Sequence, residues 1–260
     1  RYLFLTLFSL LSIASNAQDK SNRGKEFWLA YGFDYSFFWE TPINNQELAI
    51  YISTEQAAAT VTVSITNTGY SQTLTIPANT VDATILIPKT GPNDARTLTD
   101  GLQNRGIHIQ SDVPVAVYAH VYSTQVSGAT MLMPVETYGY LYHSINYYQT
   151  NHVNPNSNPQ DWYSWVYAIA SEDNTRLEIT PSDTTKNGWL PGQTYTVNLN
   201  KGESYHLFGK AIFLVNPSFA SKDMTGTKIV SVVGGDGNCH PVAVFSGSGG
   251  IRMCRGDGGE

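Results

Sequence analysis

Carboxylates beside aromatic segments, serines in a glycine context and dense runs of aromatic rings are the clusters in this sequence able to support chemistry. Asp34, Glu40, Glu47, Glu136, Asp161 and Glu172 lie in or beside aromatic stretches. Glycoside hydrolysis needs two carboxyls flanking one bond, so a secreted carbohydrate-active enzyme is one reading. Acidic residues in loops are more commonly just solvated, and spacing singles out no pair. Ser246-Gly-Ser248-Gly-Gly250 has the look of a nucleophile elbow. No helix follows it to present the serine and stabilise an oxyanion, so it reads as a hairpin loop. The histidines at 108, 120, 143, 152, 206 and 240 form no His-x-His or HExxH pair. Those at 120 and 206 fall on expected strands and read as core or edge residues. Asp236-Gly-Asn238 could contribute to a calcium loop, but calcium needs six or more oxygens, and a plain Gly-Asp-Gly turn is the commoner reading. No catalytic residue, metal or cofactor is assigned. Arg255-Gly256-Asp257 spells the tripeptide read by integrins, a match short enough to arise by chance in a Gly-rich tail.

The aromatic runs are more specific. Tyr31, Phe33, Tyr35, Phe37, Phe38 and Trp39 crowd one segment. Tyr138, Tyr140, Tyr142, Tyr147 and Tyr148 crowd a second, and Trp162, Tyr163 and Trp165 a third. Tyr and Trp dominate binding hot spots because a large rigid ring supplies apolar contact at low entropy cost. Rings also pack between modules or cover sheet edges, and most of these are assigned that role. Tyr35, Phe38, Trp39, Trp162 and Trp165 are the candidate contact residues. Trp39 and Trp162, next to turn residues, are the ones expected to be exposed.

Composition narrows the setting. Charged residues make up 14% of the 260-residue chain, well below the usual quarter. Thr, Ser, Asn, Gly and Tyr supply the polarity instead, as on extracellular β proteins. A net charge of −6 argues against nucleic acid, which wants a basic patch. Tyr2 to Ile13 is an unbroken apolar and hydroxyl run, and small residues stand at Ser15 and Ala17. It is shorter than the roughly 20 residues of a bilayer span. Residues 1–17 therefore read as a signal peptide cut before Gln18. No transmembrane segment is expected after cleavage, and the product is placed outside the cell or on a bacterial cell surface. In an exported protein, Cys239 and Cys254 are expected to form a disulfide.

The elements that must position these residues are strands. Leu48 to Ile52, Thr60 to Ile65, Gln72 to Ile76 and Ala83 to Ile87 alternate with period two. Asn67-Thr-Gly69, Pro77-Ala-Asn79 and Gly91-Pro-Asn-Asp94 separate or follow them as turns. Later strands are expected at 107–110, 115–122, 165–170, 175–179, 195–199, 204–208, 229–233 and 242–245. Arg96 to Asn104 is read as one short helical turn at most.

The second half also repeats the first. Gly106-x-x-Ile109-x-Ser111 before Pro114-Val-Ala-Val-Tyr118 recurs as Gly226-x-x-Ile229-x-Ser231 before Pro241-Val-Ala-Val-Phe245. Gln72 to Ile76 matches Gln193 to Val197, and Ser53-Thr-Glu55 matches Ala170-Ser-Glu172. The offsets drift from 117 to 127 residues, as loop insertions allow. The expected fold is all-β: two tandem antiparallel β-sandwich modules from an internal duplication, at 18–150 and 151–260, joined by the Asn/Pro-rich stretch Thr150 to Asp161. Propeller-like or jelly-roll β repeats are the alternative.

Gly24-Lys-Glu-Phe-Trp28, Ser171-Glu-Asp-Asn-Thr175, Lys201-Gly-Glu-Ser-Tyr205, Met224-Thr-Gly-Thr-Lys-Ile229 and both Pro-Val-Ala-Val strands are shared in kind with one family. In these motifs and their order the chain resembles the IgGFc-binding protein N-terminal domain family, in its bacterial surface-protein branch. The resemblance implies a β-rich extracellular module with no known catalytic centre. It also implies that the second module is cut short after Cys254, where the family continues. The expected function is non-catalytic binding or adhesion toward an extracellular protein or glycan, or spacing of other modules. A secreted carbohydrate-active enzyme and a purely structural stalk are the rival classes.

Overall fold

A computed structural model describes residues 21–39, 44–124, 127–147, 149, 162–213 and 219–251. The expected signal peptide, the 150–161 stretch and Arg255 to Asp257 lie outside the described residues. The protein is nearly all β, built from antiparallel sheets.

The N-terminal strands are β1 (Arg23–Leu29), β2 (Glu47–Ser53), β3 (Ala59–Ile65), β4 (Ser71–Ile76), β5 (Ala83–Leu86), β6 (Gly101–Gln103), β7 (Ile107–Tyr122) and β8 (Ser127–Met131), with one short helix, α1 (Ser36–Trp39), after β1. All but β6 belong to a seven-stranded sheet ordered β4-β3-β7-β2-β5, with β1 and β8 also on β7. The alternation Val61, Val63, Ile65 buries one face of β3 and leaves its hydroxyls outward. Asn67 and Asn79 hold φ of 55°, the left-handed turn geometry that Asn tolerates. The sheet curls as a half-barrel around a core that includes Phe27, Leu48, Ile50, Val61, Ile109 and Val117.

The organising element is β7. Two strands are expected over this stretch, but they run as one of 16 residues. Its first half pairs with β3 and β1, and its second half with β2 and β8. The partner change falls at 112–115, where Asp112 Oδ1 takes the Thr60 N–H at 2.8 Å and Pro114 is exposed. A residue without an N–H is tolerated where the ladder is already broken.

The remaining strands are β9 (Leu141–His143), β10 (Ser164–Ala170), β11 (Thr175–Thr180), β12 (Tyr195–Leu199), β13 (Ser204–Phe208), β14 (Ala211–Phe213), β15 (Phe219–Ser221), β16 (Lys228–Val232) and β17 (Val242–Ser248). Two four-stranded sheets form, β17-β10-β13-β6 and β12-β11-β16-β9. Val166, Ala168, Leu177, Ile179, Leu207, Ile229 and Val242 make up a second core. The expected helical turn near Arg96 is not found. Residues 101–103 form β6 instead, because they complete the edge of β13. Both β6 and β9 come from before residue 150 yet pair with later strands.

The two halves pair alike. β3 lies between β4 and β7 as β11 lies between β12 and β16. β2 lies between β5 and β7 as β10 lies between β13 and β17. The pairs Val61↔Ser111 and Val63↔Ile109 have counterparts in Leu177↔Ser231 and Ile179↔Ile229. The halves differ where residues 233–241 part β16 from β17, whereas β7 is continuous. Pro241 therefore precedes a strand, while Pro114 lies within one.

Candidate functional site

The first and third aromatic runs meet where the two halves join. Phe33 lies 5.2 Å from Tyr163 and 5.4 Å from Phe208, edge to face in both cases. Tyr35 stacks on Trp162 at 4.4 Å. Phe38 stacks on Phe33 and packs against the first core. These contacts overturn one expectation: Trp162 is buried, at 7% exposure. Its position beside loop residues did not keep it exposed, because the Tyr35 segment folds over it. The side chain of Trp39 lies outside the described residues.

Trp165 sits where Gly32 and Gly247 make room. A Cβ on Gly32 would come within 2.1 Å of the indole Cζ2, and one on Gly247 within 2.7 Å. Its ring stacks on Tyr167 at 5.8 Å. Trp165 is the candidate contact residue that lines a cleft of about 290 Å³. The cleft runs between the chain that follows β1, the β8 strand and residues 245–248 of β17. A second hollow of about 260 Å³ adjoins it through Thr130 and Phe245, and Met131, Met133, Tyr138 and Tyr142 help to line it. Met131, Met133, Tyr140, Ile145 and Tyr147 are exposed. Tyr138 turns inward, where its hydroxyl takes the Trp28 N–H at 3.1 Å and burial pushes its pKa well up.

The chemistry of the cleft is sparse. Asp34, His120 and Ser246 all line it, but each is engaged elsewhere. Asp34 Oδ1 accepts from the N–H and hydroxyl of Ser36. His120 lies 3.2 Å from the Tyr51 hydroxyl and 2.8 Å from the Ser127 hydroxyl, and burial lowers its pKa. The Ser246 hydroxyl donates to the Ile145 carbonyl at 2.7 Å. Asp34 is the one carboxylate among the described lining residues. Of the other acidic candidates, Glu47 pairs with Lys89, Glu172 meets His240, and Glu136 is exposed. Glu40 and Asp161 lie outside the described residues.

The Asp236-Gly-Asn238 turn has an internal role. Asp236 Oδ2 lies 2.8 Å from His240 Nε2, and Glu172 Oε2 lies 3.1 Å from Nδ1. Burial alone would lower the His240 pKa, but the two carboxylates outweigh it and raise it. The ring thereby ties the 233–241 loop to the 171–175 turn. No group of residues able to hold a metal ion occurs among the described residues. Cys239 is exposed on the same loop, and Cys254 lies outside the described residues.

A sequence profile of the family described as IgGFc binding protein matches residues 128–257, half of the chain. The chain belongs to this family. The match opens on β8 and takes in β9 to β17, so Trp162, Trp165, both hollows' β17 walls and the motifs after residue 170 fall within it. The Gly24-to-Trp28 motif and the first Pro-Val-Ala-Val strand lie before it. No curated protein matches the chain. Among solved structures, vicilin from Corylus avellana (hazelnut) aligns over 78% of this chain and 72% of its own at 10% identity, with a TM-score of 0.20. At that score the likeness carries no argument about fold or function.

What sequence reasoning missed was the cleft itself. Its β8 wall, Ser127 to Met131, is a short run of small and hydroxyl residues with no alternating apolar face.

Proposed function

We propose that this chain is an exported, non-catalytic binding module whose ligand is a protein, taken up along the cleft between β8 and β17. The observation that carries the reading is that two walls of this apolar cleft, β8 and residues 245–248 of β17, lie within the segment matched to a family named for binding an antibody region. The exposed Met131, Met133, Tyr140 and Tyr147 nearby supply adaptable and rigid apolar contact. Engagement of Asp34, His120 and Ser246 in separate contacts supports binding without turnover, since a nucleophile, base and orienter must bond one another. Tyr35, Phe38 and Trp162 then serve packing where the two halves join, and Trp165 reaches the ligand. The apolar run at residues 2–13 supports export and a secreted or surface location.

Immobilised antibody Fc, a panel of other secreted proteins and a glycan array, each probed with the purified chain, test the reading. A protein is expected to be retained, with affinity falling about tenfold or more in Met133→Glu while the melting curve is unchanged. Retention of glycans alone, or hydrolysis of a glycoside that disappears on replacing Asp34, would overturn it.

A further inference from the structure

The way in which a protein ligand would be held can be read from β8. Among the described residues β8 pairs with β7 alone, so its other side is an edge of the seven-stranded sheet. The Leu132 N–H donates to the Val117 carbonyl at 2.9 Å. In an antiparallel ladder alternate residues then face the partner, so Thr130 and Gly128 bond β7. Ala129 and Met131 turn their N–H groups the other way, and among the described residues neither N–H has a partner. All five residues of β8 are exposed. A Cβ on Gly128 would meet nothing within 4 Å, so the face of the strand there is open.

Other strands are edges too, but the cleft selects β8. The opposite wall, β17, is also an edge strand, and residues 139–147 already cover it. The Val242 N–H donates to the Gly139 carbonyl, the Asn146 amide to the Gly247 carbonyl, and the Ser248 hydroxyl to the Tyr147 carbonyl. Natural edges are commonly blunted by lysine, proline or a bulge. β8 carries no charged residue, no proline and no register shift against β7.

Charge defines the occupant. No lysine or arginine lines the cleft among the described residues, and its one carboxylate is held by Ser36. An acidic side chain entering there would lose water without gaining a counter-charge, and a basic one would meet a single carboxylate whose Oδ1 already accepts two hydrogen bonds from Ser36. We propose that β8 is a strand-addition site that takes up an extended, uncharged segment of a protein partner, bonded through the outward groups of Ala129 and Met131. This rests on the reading of the cleft as a protein-binding site and adds its mode. Backbone pairing supplies affinity, and the hollow beside Phe245 and Met133 takes alternate side chains of the segment.

The test uses the purified chain on an array of octapeptides, half built from Thr, Val, Ser, Ala and Tyr and half with Lys or Glu at every second position. Neutral peptides are expected to be retained and charged ones not. In Ala129→Pro the outward N–H is lost without breaking a bond to β7, and neutral peptides should bind about tenfold or more weakly. Ala129→Lys, which leaves the ladder whole, gives the same answer if the proline variant melts early. Absence of neutral-peptide binding, or equal binding by the variants, would overturn the proposal. A dimer in sedimentation that Ala129→Lys dissolves would assign the edge to a second copy and overturn it as well. A protein ligand weakened by Met133→Glu but indifferent to both Ala129 variants would leave the cleft reading standing and remove strand addition alone.

Discussion

The hydroxyl of Tyr167 holds both backbone groups of Ala30, accepting from its N–H at 3.1 Å and donating to its carbonyl. Tyr167 stands on β10 and Ala30 just past β1, so this pair ties the second half of the chain to the first. His206 and Phe245 stack on the Tyr167 ring at 4.5 and 5.0 Å, and burial drives its pKa far upward. Tyr167→Phe keeps the ring and strands two backbone groups in a buried site. The expected loss is about 1–3 kcal/mol, read as a lower urea midpoint at unchanged slope. An unchanged midpoint would mean that water replaces the hydroxyl.

Gly32→Ala places a methyl where the Trp165 indole lies. Overpacking of this kind costs about 1–3 kcal/mol. Gly32→Ala combined with Trp165→Ala should cost less than the two single changes added together, because the methyl then has space. Additive costs in a thermal-melt cycle would show that the glycine serves something else.

His206 is fully buried on β13, with Nε2 2.9 Å from the Ser204 hydroxyl. Burial depresses its pKa to about 3. The folded protein keeps the ring neutral, while the unfolded chain takes up a proton below its ordinary value of about 6.5. Stability from this group is therefore complete above that value and declines as pH falls toward the folded pKa. Urea midpoints at pH 7 and pH 5 should fall less in His206→Gln than in the wild type. Equal declines would place the acid sensitivity in other groups.

The matching strand neighbours in the two halves lead to an expectation about their shape. In an experimental structure, β2 to β5 with β7 should superpose on β10 to β13 with β16 and β17, Ile109 falling on Ile229 and Ser111 on Ser231. Strands that follow different paths once the pairs are aligned would argue against descent from a duplication.

Cys239 is expected to bond Cys254 in the exported protein. The unreduced mass should be lower by a pair of hydrogens, and alkylation before reduction should add nothing. Closing a loop of about 15 residues should stabilise the fold by roughly 3 kcal/mol. Two alkylated thiols in the native protein would remove the bond from the account.

Strands such as Thr60 to Ile65 were legible because alternation is local: each side chain declares its face through its neighbours two positions away. The Asn turns at 67 and 79 were legible for the same reason, since Asn tolerates the left-handed backbone that they adopt. The continuity of β7 was not. Pro114 reads as a strand break, and only partners on both sides, first β3 and β1 and then β2 and β8, carry the strand past it.

The aromatic residues show the same division at the candidate site. Tyr35, Trp162 and Trp165 stand out by type alone, because large rings are rare and must be either buried or used. Which of the two applies depends on chain segments far apart in sequence. Trp162 is buried because Tyr35 lies on it, and Trp165 reaches the cleft because Gly32 and Gly247 leave the indole its place. β8 was silent in the sequence, since an edge strand of small residues has no apolar face to announce. It became a candidate only when the fold set its open edge against a hollow floored by Phe245, with β17 already covered on the far side.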